Sequence, residues 1–192
     1  IKTVDMYNYR RRKTIEVNIG NTPLGGDNPI RIQSMTNTST LDTPASVEQC
    51  VAIIEAGAHY VRLTAQGIRE AENLANIADR CAEEYPDVAL VADIHFVADL
   101  ASVAAEDVDK VRVNPGNYND PDGATFRALI AKCRRRGVAI RVGVNHGSLS
   151  SRMVDRYGDT VEGMVASAME FLRICKEEQF DQVVVSMKSS NT

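Results

Sequence analysis

No C-x-x-C pair occurs among the four cysteines, Cys50, Cys81, Cys133 and Cys175, so neither a zinc knuckle nor an iron-sulfur run is legible in them. Each falls among the apolar positions of a predicted helix, where cysteine behaves as a small buried hydrophobe. No apolar run approaches the roughly 18 residues a membrane span needs, and no charged-then-apolar leader opens the chain. The expected compartment is therefore the cytoplasm, although a first residue of Ile1 means that the numbering need not begin where the gene does. Low-complexity tracts and Pro/Gly-rich linkers are missing too, which favours a single domain. There is no surplus of positive charge: 22 Lys and Arg face 26 Asp and Glu, a net charge of -4. That balance argues against coating nucleic acid or an anionic membrane, and any anion site must be local.

What is present is the makeup of a globular domain, 192 residues of which 44% are hydrophobic and 25% charged. A chain of that size buries roughly 70% of its extended surface on folding. Short β-branched runs alternate with longer segments of helical period. The pattern predicts strands at Ile30 to Ser34, Tyr60 to Thr64, Leu90 to Asp93, Lys110 to Asn114, Ala139 to Gly143 and Gln182 to Met187. The predicted helices begin with one capped at Thr43-Pro44 and stopped at Gly57, with Val47, Val51, Ile54 and Ala58 as its stripe. Others follow at Ile68 to Tyr85, Ala98 to Ala105 and Gly123 to Arg136, then two pieces at Leu149 to Arg156 and Thr160 to Glu178 divided by Gly158. The basic triplet Arg134-Arg135-Arg136 reads as cationic capping of a helix end rather than a nucleic-acid patch. Thr14 to Ile19, followed by a turn-rich Asn21 to Asn28, predicts a β-hairpin that plugs a barrel bottom. Residues 1–13, with Arg10 to Lys13, read as an N-terminal extension, and residues 14–192 as the domain.

Repeated βα units demand a parallel sheet, either doubly wound and open or closed into an eight-stranded barrel. A barrel brings every C-terminal strand tip to one mouth, and here nearly every tip is polar, which favours the barrel. With six predicted strands of the eight that closure needs, the expected fold is α/β, an incomplete β/α barrel with raw edges at its first and last strands.

Strand parity selects the inward residues. It puts Tyr60, Arg62 and Thr64 opposite Val61 and Leu63, pairs Asp93 with His95, and pairs Arg112 with Asn114. It also aligns Arg141, Gly143 and Asn145, then Ser186 and Lys188, while Gln33, Met35 and the hydroxyl-rich Thr36 to Thr40 stand at the first tip. Two backbone features suggest phosphate cradles: the Pro115-Gly116-Asn117 turn, and His146-Gly147-Ser148 leading into a helix N-terminus. Three arginines and a lysine against one aspartate would be costly as mere scaffolding, since like charges ~4 Å apart repel by about 4 kcal/mol at an effective dielectric near 20. A bound diphosphate converts that repulsion into attraction, and the planar Arg fork suits phosphate oxygens. Asp93 and His95 are the candidate catalytic pair, for acid/base work or half a metal site, set against a His held by backbone. His59 precedes its strand and reads as structural. From residues alone, a non-redox barrel enzyme on phosphorylated or pterin-like small molecules stays open, as does an oligomerising module whose edges matter most.

The strings in order are specific. They are Gly25-Gly26-Asp27-Asn28-Pro29, Gln33-Ser34-Met35-Thr36-Asn37-Thr38, Val61-Arg62-Leu63-Thr64, Ala92-Asp93-Ile94-His95-Phe96, Arg112-Val113-Asn114-Pro115-Gly116-Asn117, Arg141-Val142-Gly143-Val144-Asn145 and Val185-Ser186-Met187-Lys188. Together they resemble the 4-hydroxy-3-methylbut-2-enyl diphosphate synthase family, iron-sulfur enzymes of the methylerythritol phosphate route to isoprenoids. The resemblance covers the chain from about Thr14 onward. It implies a TIM-type barrel that binds 2-C-methyl-D-erythritol 2,4-cyclodiphosphate, with Arg62, Asp93, Arg112, Asn114, Arg141, Asn145 and Lys188 as substrate contacts. It further implies a [4Fe-4S] cluster on a C-terminal domain, a flavodoxin or ferredoxin type electron donor, and a homodimer in which one subunit's cluster domain caps the other's barrel. The three Cys and one Glu that hold the family's cluster are expected beyond Thr192, so no metal ligand is expected in this chain, and the chain alone is expected to be inactive.

Overall fold

The computed structural model describes residues 12–120 and 122–189. Residues 1–11 of the expected extension and the last three residues lie outside the described part. Six strands, β1 (Gln33–Met35), β2 (Tyr60–Ala65), β3 (Ala89–Ile94), β4 (Lys110–Val113), β5 (Ala139–Asn145) and β6 (Val183–Lys188), pair in sequence order, every neighbouring pair parallel. Between them run α1 (Thr43–Glu55), α2 (Ile68–Glu84), α3 (Leu100–Ala104), α4 (Ala124–Arg136), α5 (Ser151–Tyr157) and α6 (Val161–Glu177). This is the curled, incomplete TIM barrel that the alternation predicted.

The outward strand residues Val61, Leu63, Ala92, Val111, Ile140 and Val142 are wholly buried beneath the helices, in one core with Leu74 and Ile77 of α2 and Phe126 and Leu129 of α4. The inward residues form a second, smaller cluster at the bottom: Tyr60, Ala89, Val91 and Ala139 meet Val17 and Ile19. Those last two belong to the expected hairpin, which is reduced to one antiparallel bridge, Val17 with Leu24. It is tied to the barrel by the Tyr60 hydroxyl donating to the Thr22 carbonyl at 2.6 Å and by the Asn18 N–H donating to Gln182 at 2.7 Å.

Three local details differ from the sequence reading. β1 begins at Gln33 rather than Ile30, because the His59 Nδ1 accepts the Ile32 N–H at 3.0 Å and so stands in for a ladder partner. Asp42, not Thr43, caps α1 by accepting the Ala45 N–H, which leaves the Thr43 hydroxyl to accept from Asn73. The buried line of α1 passes through Ser46 and Cys50 rather than Val51, since the Ser46 hydroxyl is satisfied by the Ser39 carbonyl and can enter the interior. The basic end of α4 is a brace: Gly137 closes the helix in the left-handed conformation, Arg134 donates to the Glu178 carbonyl, and Arg136 reaches Glu106. None of the described helices is long and apolar enough to cross a membrane.

Candidate functional site

Parallel register stacks the inward residues in layers. Arg62 lies beside Val91 and then Lys110; one layer up, Thr64, Asp93, Arg112 and Arg141 stand in a row across β2 to β5. Asp93, 1% exposed, is the hub. One of its oxygens accepts from Arg62 Nη2 at 2.6 Å and lies 3.1 Å from His95 Nε2, and the other accepts from Arg112 Nη1 at 3.3 Å. The candidate pair Asp93 and His95 is thus in direct contact, with the carboxylate shared between two guanidiniums. Arg112 also donates from Nη2 to the Gly143 carbonyl at 3.2 Å, and Arg141 donates to the Ser186 hydroxyl at 2.8 Å.

Positive charge exceeds this single carboxylate. Burial, with Arg62 and Arg112 close by, holds the Arg141 pKa below its ordinary value. The Nε–H groups of Arg62 and Arg141 are both buried with no acceptor. Buried donors on charged groups are expensive to leave unpaired, so the arrangement suits an anion better than it suits a scaffold.

Sequence reasoning overlooked Lys110. It is 2% exposed, its Nζ stands 4.5 Å over the Tyr60 ring, and the bond its Nζ donates to the Gln33 side chain is long at 3.4 Å. The signal was available, because Lys110 shares parity with Arg112 two residues on. Burial first, then Arg141 and Arg62, push its pKa down to about 8. The unfolded chain, near 10.5, then binds the proton more tightly than the folded one, so stability rises as pH climbs between those two values. Lys110→Met is expected to melt at a higher temperature than the parent at pH 7. The gap should close as pH rises from about 8 towards 10.5. Melting curves across that range check it, and a variant less stable than the parent at pH 7 would contradict it.

The loops at the mouth are largely satisfied within the protein, which corrects the expected phosphate cradles. Pro115–Asn117 is a 3-10 turn in which the Asn114 side chain accepts the Gly116 N–H, the Asn114 carbonyl accepts the Asn117 N–H, and Pro115 accepts from Tyr118. The Asn114 amide donates to the Ser148 hydroxyl at 3.0 Å, so one end of the side chain closes its own turn and the other ties it to the loop after β5. After β5, the Ser148 N–H and hydroxyl both bond the Asn145 carbonyl, and the Gly147 N–H donates to Asp159. In the hydroxyl-rich tip of β1, Thr40 bonds the Thr64 carbonyl and Thr38 meets Ser46. Lys188 pairs in register with Asn145 and lies exposed on the edge strand β6. Phe96 is 73% exposed beside His95 and holds a left-handed backbone, φ 63°, uncommon for an aromatic residue.

A four-iron cluster does not fit the residues here. The four cysteines are buried on four different helices, α1, α2, α4 and α6, and among the described residues no three His, Cys, Asp or Glu side chains gather in a metal-sized group. Burial pushes the Cys133 thiol up to about 12 and the Cys175 thiol to about 11, far from the thiolate a metal needs.

The 4-hydroxy-3-methylbut-2-en-1-yl diphosphate synthase (flavodoxin) of Phocaeicola vulgatus is 56% identical across 98% of this chain and 34% of its own length. The protein of that name from Chlamydia muridarum is 44% identical across 94% of this chain and 33% of its own length. The chain therefore spans about a third of the length of these curated relatives. Among solved structures, the 7,8-dihydropteroate synthase of Vibrio fischeri superposes with a TM-score of 0.62 at 12% identity, covering 90% of this chain and 66% of that one. The DAHP synthase of Thermotoga maritima gives 0.57 at 15% identity, covering 90% and 45%. At such identities these two share the barrel fold alone. The family model of the GcpE TIM-barrel domain matches residues 14–192, a stretch that takes in all six strands and every inward cation described above, and the chain belongs to that family.

Proposed function

We propose that this chain is the substrate-binding barrel of a synthase that converts 2-C-methyl-D-erythritol 2,4-cyclodiphosphate to 4-hydroxy-3-methylbut-2-enyl diphosphate. Its domain is residues 14–192, preceded by a short extension. The observation that carries the reading is the surplus of interior cations, Arg62, Arg112 and Arg141 around one carboxylate with Lys110 a layer below, and two buried Nε–H donors unpaired. A cyclic diphosphate supplies what that constellation lacks, two phosphates bearing acceptor oxygens.

The overall change takes up two electrons and two protons, breaks one C–O bond to phosphate, and releases one hydroxyl as water. The electrons would be supplied by a [4Fe-4S] centre held by residues other than these and fed by a flavodoxin or ferredoxin; the curated relatives carry flavodoxin in their names. What these residues do is bind and neutralise. Arg62, Arg112 and Arg141 face the charge that grows on the departing phosphate oxygen, where preorganised donors in a water-poor site are most effective. Asp93 holds two of the guanidiniums in place, and His95, 3.1 Å from it, is the group placed to move a proton. Asn114 and Asn145 shape the mouth through Ser148, and Lys188, in register with Asn145, is a further substrate contact that the family resemblance implies. The working enzyme is a cytoplasmic homodimer.

Calorimetric titration of the full-length protein with the cyclodiphosphate tests the reading. Arg112→Ala and Arg141→Ala are each expected to weaken binding about 10- to 100-fold, the value of a charge-assisted hydrogen bond. Parental affinity in both variants would remove the site.

A further inference from the structure

We propose that Gly143 is a positioning residue: the space where its side chain would stand is the seat of the Arg112 guanidinium. The inference rests on the reading of the mouth as a diphosphate site and names one more residue that site requires.

Glycine inside a strand weakens the strand and calls for a reason. Backbone conformation is not the reason here, because Gly143 sits in the regular β5 ladder, opposite Ser186 of β6, and is absent from the glycines with positive φ. The reason is Arg112. A Cβ on Gly143 would lie 2.6 Å from Arg112 Nε, 3.2 Å from Nη2 and 3.3 Å from Cζ. Three atoms of one guanidinium thus crowd a single point. The same group is anchored on both sides, to the Gly143 carbonyl at 3.2 Å and to Asp93 at 3.3 Å. Arg112 therefore spans from β3 across its own strand to β5. Two of its five N–H groups are spent on those anchors, and the remainder are left for a ligand.

The contrast with Gly116 sharpens the point. There the obstacle is backbone, the Ser148 carbonyl, which cannot step aside. At Gly143 it is the far end of a flexible side chain, so an added methyl displaces the guanidinium and spares the fold. A second reason for glycine in a strand is close approach of the ligand itself to the backbone. The two reasons make opposite forecasts once Arg112 is gone.

Calorimetry with 2-C-methyl-D-erythritol 2,4-cyclodiphosphate on the full-length protein decides between them, using Gly143→Ala, Arg112→Gln and the double variant. Gly143→Ala is expected to weaken binding about 10- to 100-fold, the scale of one misplaced charge-assisted contact. In the Arg112→Gln background the same substitution should change affinity by less than about twofold, the non-additivity of a residue that acts through its neighbour. Unchanged affinity in Gly143→Ala, or an equal loss with and without Arg112, overturns the proposal. Should Gly143→Ala fail to fold, the double variant still decides: its recovery supports the clash with Arg112, and its failure refutes it. Parental affinity in Arg112→Gln would instead bring down the reading of the site itself.

Discussion

Asp93→Ala is expected to lower thermal stability by about 3 kcal/mol, since stripping one partner from a buried ion pair leaves uncompensated charge behind. For a chain of this length that corresponds to a fall of roughly 10 °C in Tm. The size of the effect follows from the hub position. Asp93 accepts from Arg62 at 2.6 Å and from Arg112 at 3.3 Å, and Arg141 follows Arg112 in the same row of the sheet. Removing Arg62 or Arg112 singly costs less, because the carboxylate keeps the other partner. A further signature distinguishes charge from packing. Added inorganic pyrophosphate should raise the Tm of Asp93→Ala by more than it raises that of the parent, because a bound anion supplies the negative charge that the variant lost. A drop of under 2 °C, or no extra gain from pyrophosphate, would show that the cations do not depend on Asp93.

Gly116→Ala is expected to disable the mouth. The added Cβ would sit 1.9 Å from the Ser148 carbonyl oxygen and 3.0 Å from its carbon, both backbone atoms, so no rotamer change relieves the overlap. Either the 3-10 turn after β4 or the loop after β5 must move, and the 3.0 Å bond from Asn114 to Ser148 that joins them breaks. Overpacking of this kind costs about 3 kcal/mol, and a shift of even 1 Å at a binding site costs about a hundredfold. The expected result is therefore a Tm lower by roughly 10 °C and cyclodiphosphate affinity reduced about a hundredfold. Gly57→Ala is the control. Nothing lies within 4 Å of its Cβ, and its φ of +95° adds only backbone strain far from the mouth. That variant should lose about 1 kcal/mol and bind normally. Parental binding by Gly116→Ala would show that the two loops do not shape the site.

Much of this could be read from the order of residues. Period-two alternation in a parallel strand has only two outcomes, so Arg62, Asp93, Arg112 and Arg141 were assigned to the inner face by counting. The hairpin plug was legible for the same reason, with Val17 and Ile19 alternating against polar neighbours and ending up buried. The four cysteines behaved as apolar spacing predicted, each buried on a helix.

Counting does not reveal how a polar group spends its hydrogen bonds. The N–H groups of Gly116 and Asn117 looked available, yet the side chain and the carbonyl of Asn114 consume them. Lys110 looked like the start of a strand, yet burial in the barrel, followed by the charges of Arg141 and Arg62 on β5 and β2, depresses its pKa. Gly143 looked like one more residue on the inner face until Arg112 was seen lying over it. In the last two cases the deciding partner comes from a different strand. Which face a side chain occupies is a local consequence of backbone geometry. Whether its charge and donors remain free depends on neighbours some 30 residues away in sequence, brought within hydrogen-bonding distance by parallel register.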